Sequence, residues 1–153
     1  MANPSEHAVH VLNDLISLTL DSANGYKEAA DNTESSQFKS MFQMRSQRRY
    51  ELTRELQEEV RSFGGKPEDD QSLMGKMHNK FVDVKAALTG HDDKAVINEV
   101  ERGEDHIKHK YETALQEQDL SSETRDVINR AYESVRRGHD QVRDLKHALE
   151  GAE

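Results

Sequence analysis

Apolar residues recur every three or four positions along almost the entire chain, and this period constrains the fold more than any other feature. Leu12, Leu15, Ile16 and Thr19, for example, share one face of a helix. Only two prolines interrupt the chain, and hydrophobic and charged residues each make up 33%, which confines the apolar side chains to a narrow stripe. High charge is also typical of disordered chains, but disorder gives no reason for a helical period. We therefore predict an all-α protein.

Breaks in the pattern divide the chain into four long helices and one shorter helix. Gly64 and Gly65, followed by Pro67, form a strong helix stop. The predicted long helices cover residues 5–31, 35–63, 92–118 and 121–149, and the shorter helix covers residues 71–88. The short helix favours a four-helix bundle of two antiparallel hairpins joined by a crossover, with a five-helix up-and-down array as the alternative. At 153 residues, a single domain spanning 1–153 is expected.

Charge and composition argue against several classes of function. The formal net charge is −9, and arginines are interleaved with acidic residues, which is unlike a nucleic-acid-binding protein. No run approaches the ~20 apolar residues of a membrane-spanning helix, and the amino-terminal residues lack a signal-peptide pattern. Cysteine is absent, which excludes disulfides and thiolate sites. We expect a cytoplasmic protein with no nucleic-acid or membrane partner.

Five short motifs carry a resemblance to a known family. They are LNDL from Leu12, YKEAA from Tyr26, FGGKP from Phe63, ERGED from Glu101 with Tyr111 beyond it, and HD from His139. In this order and spacing, they resemble an uncharacterised, stress-associated bacterial family of ferritin-like four-helix bundles, over nearly the whole chain. The resemblance implies the crossover topology and a stress-related setting.

The wider ferritin-like superfamily binds two iron ions at mid-height of the bundle. One glutamate comes from each of two helices, and a Glu-x-x-His motif comes from each of the other two. Carried over by helix midpoints, the resemblance places Thr19, Arg49, Glu104, Arg136 and His139 at positions of this site. Of these, only Glu104 and His139 can be metal ligands. Arginines in the same layer oppose binding of a divalent cation.

The charged residues of this layer predict an ion pair. Glu104 lies on the apolar stripe of its helix, and Arg45 and Arg49 lie on the stripe of theirs. Since lone charges are costly to bury, we expect Arg49, with Arg45 as a second candidate, to bond Glu104 inside the bundle. The alternative is that both arginines extend to solvent along their stems. The predicted core polar layer is Thr19, Arg45, Arg49, Glu104 and Arg136.

Two glycines lie next to this layer. Gly103 and Gly138 each cost about 1 kcal/mol of helix propensity relative to alanine, which packing has to offset. We expect them to let the third and fourth long helices approach closely.

The leading functional interpretation is a non-catalytic ferritin-like bundle that acts through its surface and needs no cofactor. No phosphate-binding loop, nucleophile elbow or zinc-protease motif is present, so no catalytic or cofactor-binding residue is predicted. The alternative is a metal-binding protein or oxidase that uses Glu104, His139 and Glu101 to hold iron or another divalent transition metal. An iron-storage or DNA-protecting cage is disfavoured by the acidic charge and the missing ligands. Apolar surface on the helices is compatible with a homodimer.

Overall fold

The computed structural model of the protein describes residues 4–69 and 93–151, and the side chains of residues 6–69 and 93–148. These residues form four α-helices and no strand, which confirms the all-α prediction. The helices are α1 (Pro4–Asn32), α2 (Ser36–Ser62), α3 (Asp93–Leu115) and α4 (Ser122–Gly151). They correspond to the four predicted long helices, and the predicted helix at 71–88 lies outside the described residues.

The carboxyl end of α2 is closed by the predicted glycine stop. Gly64 has a φ of +79°, a conformation that costs glycine nothing and other residues more. The amide of Gly64 donates to the carbonyl of Arg61 at 2.9 Å, and the amide of Gly65 donates to that of Val60 at 3.0 Å. This is the Schellman pattern of helix termination, and it satisfies two carbonyls that the helix itself leaves unpaired.

Contacts near the helix ends fix the directions in which the helices run. His7 Nε2 lies 3.4 Å from a carboxylate oxygen of Glu117, so the start of α1 is beside the end of α3. Thr33 Oγ1 donates to Asp93 Oδ1 at 3.3 Å, so the end of α1 is beside the start of α3. Because residues 33–35 turn the chain straight from α1 into α2, α2 and α3 run in the same direction. This is the arrangement of two antiparallel hairpins that the sequence predicts.

The core is a continuous set of apolar side chains from all four helices. It includes Leu12 and Ile16 of α1, Phe42 and Leu56 of α2, Ile97 and Ile107 of α3, and Ile128 and Val135 of α4. Burial of each such side chain contributes about 1.5–3 kcal/mol relative to leaving it exposed. Among neighbouring helices, α2 and α4 contact each other least, and a groove separates their outer surfaces. Within the described residues, no helix has a segment long and apolar enough to span a bilayer.

Candidate functional site

Arg49 and Glu104 form an ion pair at the centre of the bundle. Arg49 is 1% exposed and Glu104 is fully buried. Nη2 of Arg49 lies 2.9 Å from Oε1 and 3.0 Å from Oε2 of Glu104, while Nη1 donates to Ser22 Oγ at 2.6 Å. Nε of Arg49 is buried and has no hydrogen-bond partner among the described residues. The arginine therefore turns into the core and meets the glutamate, instead of extending to solvent.

Tyr26 of α1 completes the surroundings of the carboxylate. Its hydroxyl donates to Glu104 Oε1 at 2.5 Å, and its ring lies 5.6 Å from the guanidinium carbon of Arg49, which is within the range of a cation–π contact. Burial and the negative charge of Glu104 raise the pKa of Tyr26 well above its usual value. Burial is the largest single influence on the pKa of Arg49 and lowers it, but the charge of Glu104, the hydrogen bond to it and the neighbouring tyrosines together raise this pKa above its usual value. The tyrosine is therefore a neutral donor beside a charged pair.

Thr19 and Tyr111 form the other half of the polar layer. The hydroxyl of Thr19 donates to the carbonyl of Leu15 at 2.6 Å. Since that donation uses its one proton, the hydroxyl of Tyr111 donates to Thr19 at 2.7 Å. Burial raises the pKa of Tyr111 to about 12. The layer thus holds one ion pair, and neutral hydroxyl groups surround it.

Gly138 of α4 makes room for the buried arginine. A β-carbon at this position would lie 2.6 Å from Nη2 of Arg49 and 3.5 Å from Nη1 of Arg45. Contacts below 3.0 Å force something to move, and Arg49 is already held by Ser22 and Glu104. The close approach at Gly138 is therefore made to the arginines of α2, while the predicted close approach of α3 to α4 at the two glycines stays a prediction.

Arg45 lies at the edge of the layer. It is half-buried, and its Nε donates to Gln141 Oε1 of α4 at 2.7 Å. Burial lowers the pKa of Arg45. The bond to Glu104 is therefore made by Arg49, while Arg45 links α2 to α4 beside it.

Comparison with known proteins identifies the family of this chain. Residues 7–117 match the family model described as "Domain of unknown function (DUF2383)". The chain belongs to this family. No curated protein matches the sequence.

The fold of this DUF2383 protein is shared with a solved structure. A Dps1 mutant from Mycobacterium smegmatis superposes with a TM-score of 0.80, over 95% of this chain and 99% of that chain, at 11% sequence identity. Such a low identity shows the fold alone. Because the matched protein is ferritin-like, the predicted ferritin-like four-helix bundle is confirmed.

Arg136 does not belong to the polar layer of the DUF2383 bundle, so this part of the prediction is wrong. Its side chain is 48% exposed, and its Nη2 lies 2.8 Å from a carboxylate oxygen of Glu133 on the same helix. The inward face of α4 passes through Val135, Gly138 and Val142, which are all buried. Arg136 follows Val135 by one residue, and this step of about 100° turns it outward.

The three metal-ligand candidates of the DUF2383 bundle have separate partners. Glu104 faces Arg49, while Glu101 Oε1 lies 2.8 Å from Nζ of Lys146. His139 Nε2 lies 2.6 Å from Asp105 Oδ1, and its Nδ1 lies 3.4 Å from an oxygen of Asp140. In the described part of the chain, no group of three or more His, Cys, Asp or Glu side chains converges. The structure therefore does not assemble Glu104, His139 and Glu101 into one site.

Ser22, Tyr26 and Gly138 are parts of the DUF2383 polar layer that the predicted residue set lacks. Ser22 follows Thr19 by three residues and Tyr26 follows it by seven, so both lie on the same helix face. That spacing was enough to predict Ser22 and Tyr26 as members of the polar layer. The contact between Gly138 and Arg49 joins different helices, and no local pattern reports it.

The stability of this DUF2383 protein is expected to fall as the pH rises from about 10 to about 12. Below this range, the phenol of Tyr111 is protonated in both the folded and the unfolded state. Within it, the unfolded chain releases the proton first, because the ordinary pKa is 10.0 and the folded pKa is about 12. Urea denaturation across this range measures the effect. Tyr111→Phe should give a smaller slope of unfolding free energy against pH, and an unchanged slope would contradict the assignment.

Proposed function

We propose that this protein is a non-catalytic ferritin-like bundle that acts through its surface. In this proposal, a closed ion pair occupies the layer that holds metal in ferritin-like proteins. The observation that carries the proposal is the buried bond between Arg49 and Glu104. The proposal includes a stress-related role, which the resemblance of the sequence motifs supports, together with the cytoplasmic location expected from the sequence and assembly as a homodimer, which is compatible with the fold.

The electrostatics of the layer support this proposal. The guanidinium of Arg49 neutralises the carboxylate of Glu104 at contact distance, and Tyr26 donates to the same carboxylate. A divalent cation at Glu104 would have to displace Arg49 or accept a like charge about 4 Å away, which costs several kcal/mol in a partly desolvated site. Because Arg49 is 1% exposed, moving it to solvent would break its bonds to Ser22 and Glu104. The arrangement thus stabilises the bundle and opposes metal binding at its centre.

The alternative is a metal-binding protein or oxidase that uses Glu104, His139 and Glu101. It requires Arg49, Asp105 and Lys146 to leave these residues, since each contacts one of them. This alternative is therefore an outcome to be tested against the proposal by direct metal titration.

Titration of tag-free protein with Mn²⁺, Zn²⁺, Cu²⁺ and, without oxygen, Fe²⁺ is expected to give no stoichiometric binding that depends on Glu104. Isothermal calorimetry and metal analysis after dialysis measure it. Glu104→Gln and His139→Asn are matched variants that keep shape and remove ligand capacity. Binding at one or two ions per chain that both substitutions abolish would establish the metal-binding alternative.

A further inference from the structure

A groove runs along the outer face of the bundle between α2 and α4. It consists of two adjoining depressions of about 480 and 660 Å³, which share Glu59, Val127 and Arg130. Leu52 and Leu56 of α2 line one of them. The groove extends along α2 from Arg48 to Ser62, a length of about 20 Å at 1.5 Å per residue. This matches roughly four turns of a helix laid along it.

The rims of the groove are strongly acidic. Five carboxylates line it, against two arginines, Arg48 and Arg130. The acidic residues are Glu51, Glu55 and Glu59 of α2 and Glu123 and Asp126 of α4. In the ranges 4–69 and 93–151, none of the five forms an ion pair or a side-chain hydrogen bond with another described residue. Five carboxylates less two arginines leave the groove a net charge of −3, above a floor that includes the largely buried Leu52, Leu56 and Val127.

The spacing of the acids on α2 places like charges next to one another along one face of the helix. Glu51, Glu55 and Glu59 follow each other at intervals of four residues, so their carboxylates repel one another along one face. Like charges at this spacing on one helix destabilise it. A cation placed between them would turn this repulsion into attraction. The repeat therefore favours a partner with positive charges at the same spacing.

Asp69 and Asp93, which flank residues 70–92, lie on other sides of the bundle than the groove. Asp69 lines a depression with Leu20 and Tyr50, between α1 and α2. Asp93 bonds the turn between α1 and α2 through Thr33 and the amide of Ser35. Neither attachment point is at the opening between α2 and α4. A second copy of the chain is also a poor occupant, because two acidic grooves of one protein with a net charge of −9 repel each other.

We propose that the groove between α2 and α4 binds an amphipathic helix of a partner protein, with lysines or arginines on both sides of a narrow apolar stripe. The stripe would contact the floor at the exposed edges of Leu52 and Val127, and the cations would lie between the carboxylates of the rims. Helix-in-groove binding of this kind uses contacts every three or four residues of the partner. Phosphate-bearing partners are excluded from this groove by the sign of its charge. The inference does not depend on whether the centre of the bundle binds metal.

The test uses the full chain and a fluorescein-labelled synthetic peptide of roughly 14 residues, with a Leu/Ala stripe between flanking lysines. Fluorescence anisotropy should show saturable binding that weakens as salt rises from about 50 to about 200 mM. The triple variant Glu51→Gln, Glu55→Gln, Glu59→Gln should weaken binding roughly tenfold, since it removes three ion pairs that are each exposed and individually weak. It should fold normally, because it removes like-charge repulsion.

The matched control variant changes the net charge equally at exposed acids elsewhere. It carries Asp31→Asn, Glu34→Gln and Asp119→Asn, and its affinity should stay within about twofold of the unmodified protein. Amide shifts from nuclear magnetic resonance should change within residues 48–62 and 123–134. Equal weakening by both triple variants, equal binding of a scrambled peptide, or shifts elsewhere would overturn the proposal. So would a dimer in sedimentation that the groove variant dissociates, because the occupant would then be a second copy.

Discussion

Replacing Arg49 with methionine is expected to lower the free energy of unfolding by about 3–5 kcal/mol. Glu104 is fully buried, and Arg49 contacts both of its oxygens. Without the guanidinium, Tyr26 is the one described side chain that still donates to that carboxylate, and one neutral hydrogen bond cannot offset the desolvation of a charge. Urea denaturation at neutral pH, followed by circular dichroism, measures the loss.

The double variant Arg49→Met, Glu104→Leu is the control for this prediction. It replaces both charges with apolar side chains, so no uncompensated charge remains in the core. Replacement of a buried pair by apolar residues is often close to neutral, and the double variant should therefore be more stable than Arg49→Met alone. Some loss will remain, because Ser22 and Tyr26 lose their partners. Strictly additive losses from the two single substitutions would show that the pair does not act as a unit.

The substitution Gly138→Ala is expected to destabilise the protein by about 1–3 kcal/mol. In an open helix, the same change stabilises by about 1 kcal/mol, because alanine has the higher helix propensity. Here the added β-carbon would lie 2.6 Å from Nη2 of Arg49. Moving that nitrogen disturbs its bond to Glu104, which is fully buried. Thermal and urea unfolding of the variant measure the sign of the effect.

Arg49→Met supplies the background in which the effect of Gly138→Ala should reverse. Methionine is shorter than arginine and does not reach the position of Nη2, so the clash disappears. Gly138→Ala should then stabilise by about 0.5–1 kcal/mol, as expected from helix propensity and chain entropy. If alanine destabilises both backgrounds equally, the glycine serves the backbone of α4 and not the arginine.

The helices could be predicted from the sequence because their signals are local. The apolar period marks the inner faces, and Gly64 with Gly65 stops α2 where the structure ends it. The end of α3 was placed at residue 118, but the helix ends at Leu115. There, Arg125 of α4 donates to the carbonyls of Leu115 and Glu117. A donor from another helix thus holds the turn, and no pattern near residue 115 reports it.

The candidate site could likewise be predicted from the sequence only in part. The cost of burying a lone charge was enough to predict that Arg49 bonds Glu104. Both residues lie on apolar stripes, and each needs an opposite charge there. Helix midpoints indicate the height of the layer but not the direction of each side chain. For this reason the midpoint rule predicts that Arg136 faces inward, although its side chain is exposed. The metal-ligand candidates are also not brought together, since Glu101 contacts Lys146 and His139 contacts Asp105. Contacts between helices decide these details.

The position of the ion pair also bears on how the protein assembles. Arg49 belongs to the first hairpin and Glu104 to the second. Each hairpin has a short connection, so it can close early at a small entropic cost, while the two charges are still hydrated. Docking of the hairpins has to remove water from both charges in one step, before their attraction is fully gained. The barrier to folding should therefore lie at docking, and the hairpins should form ahead of it.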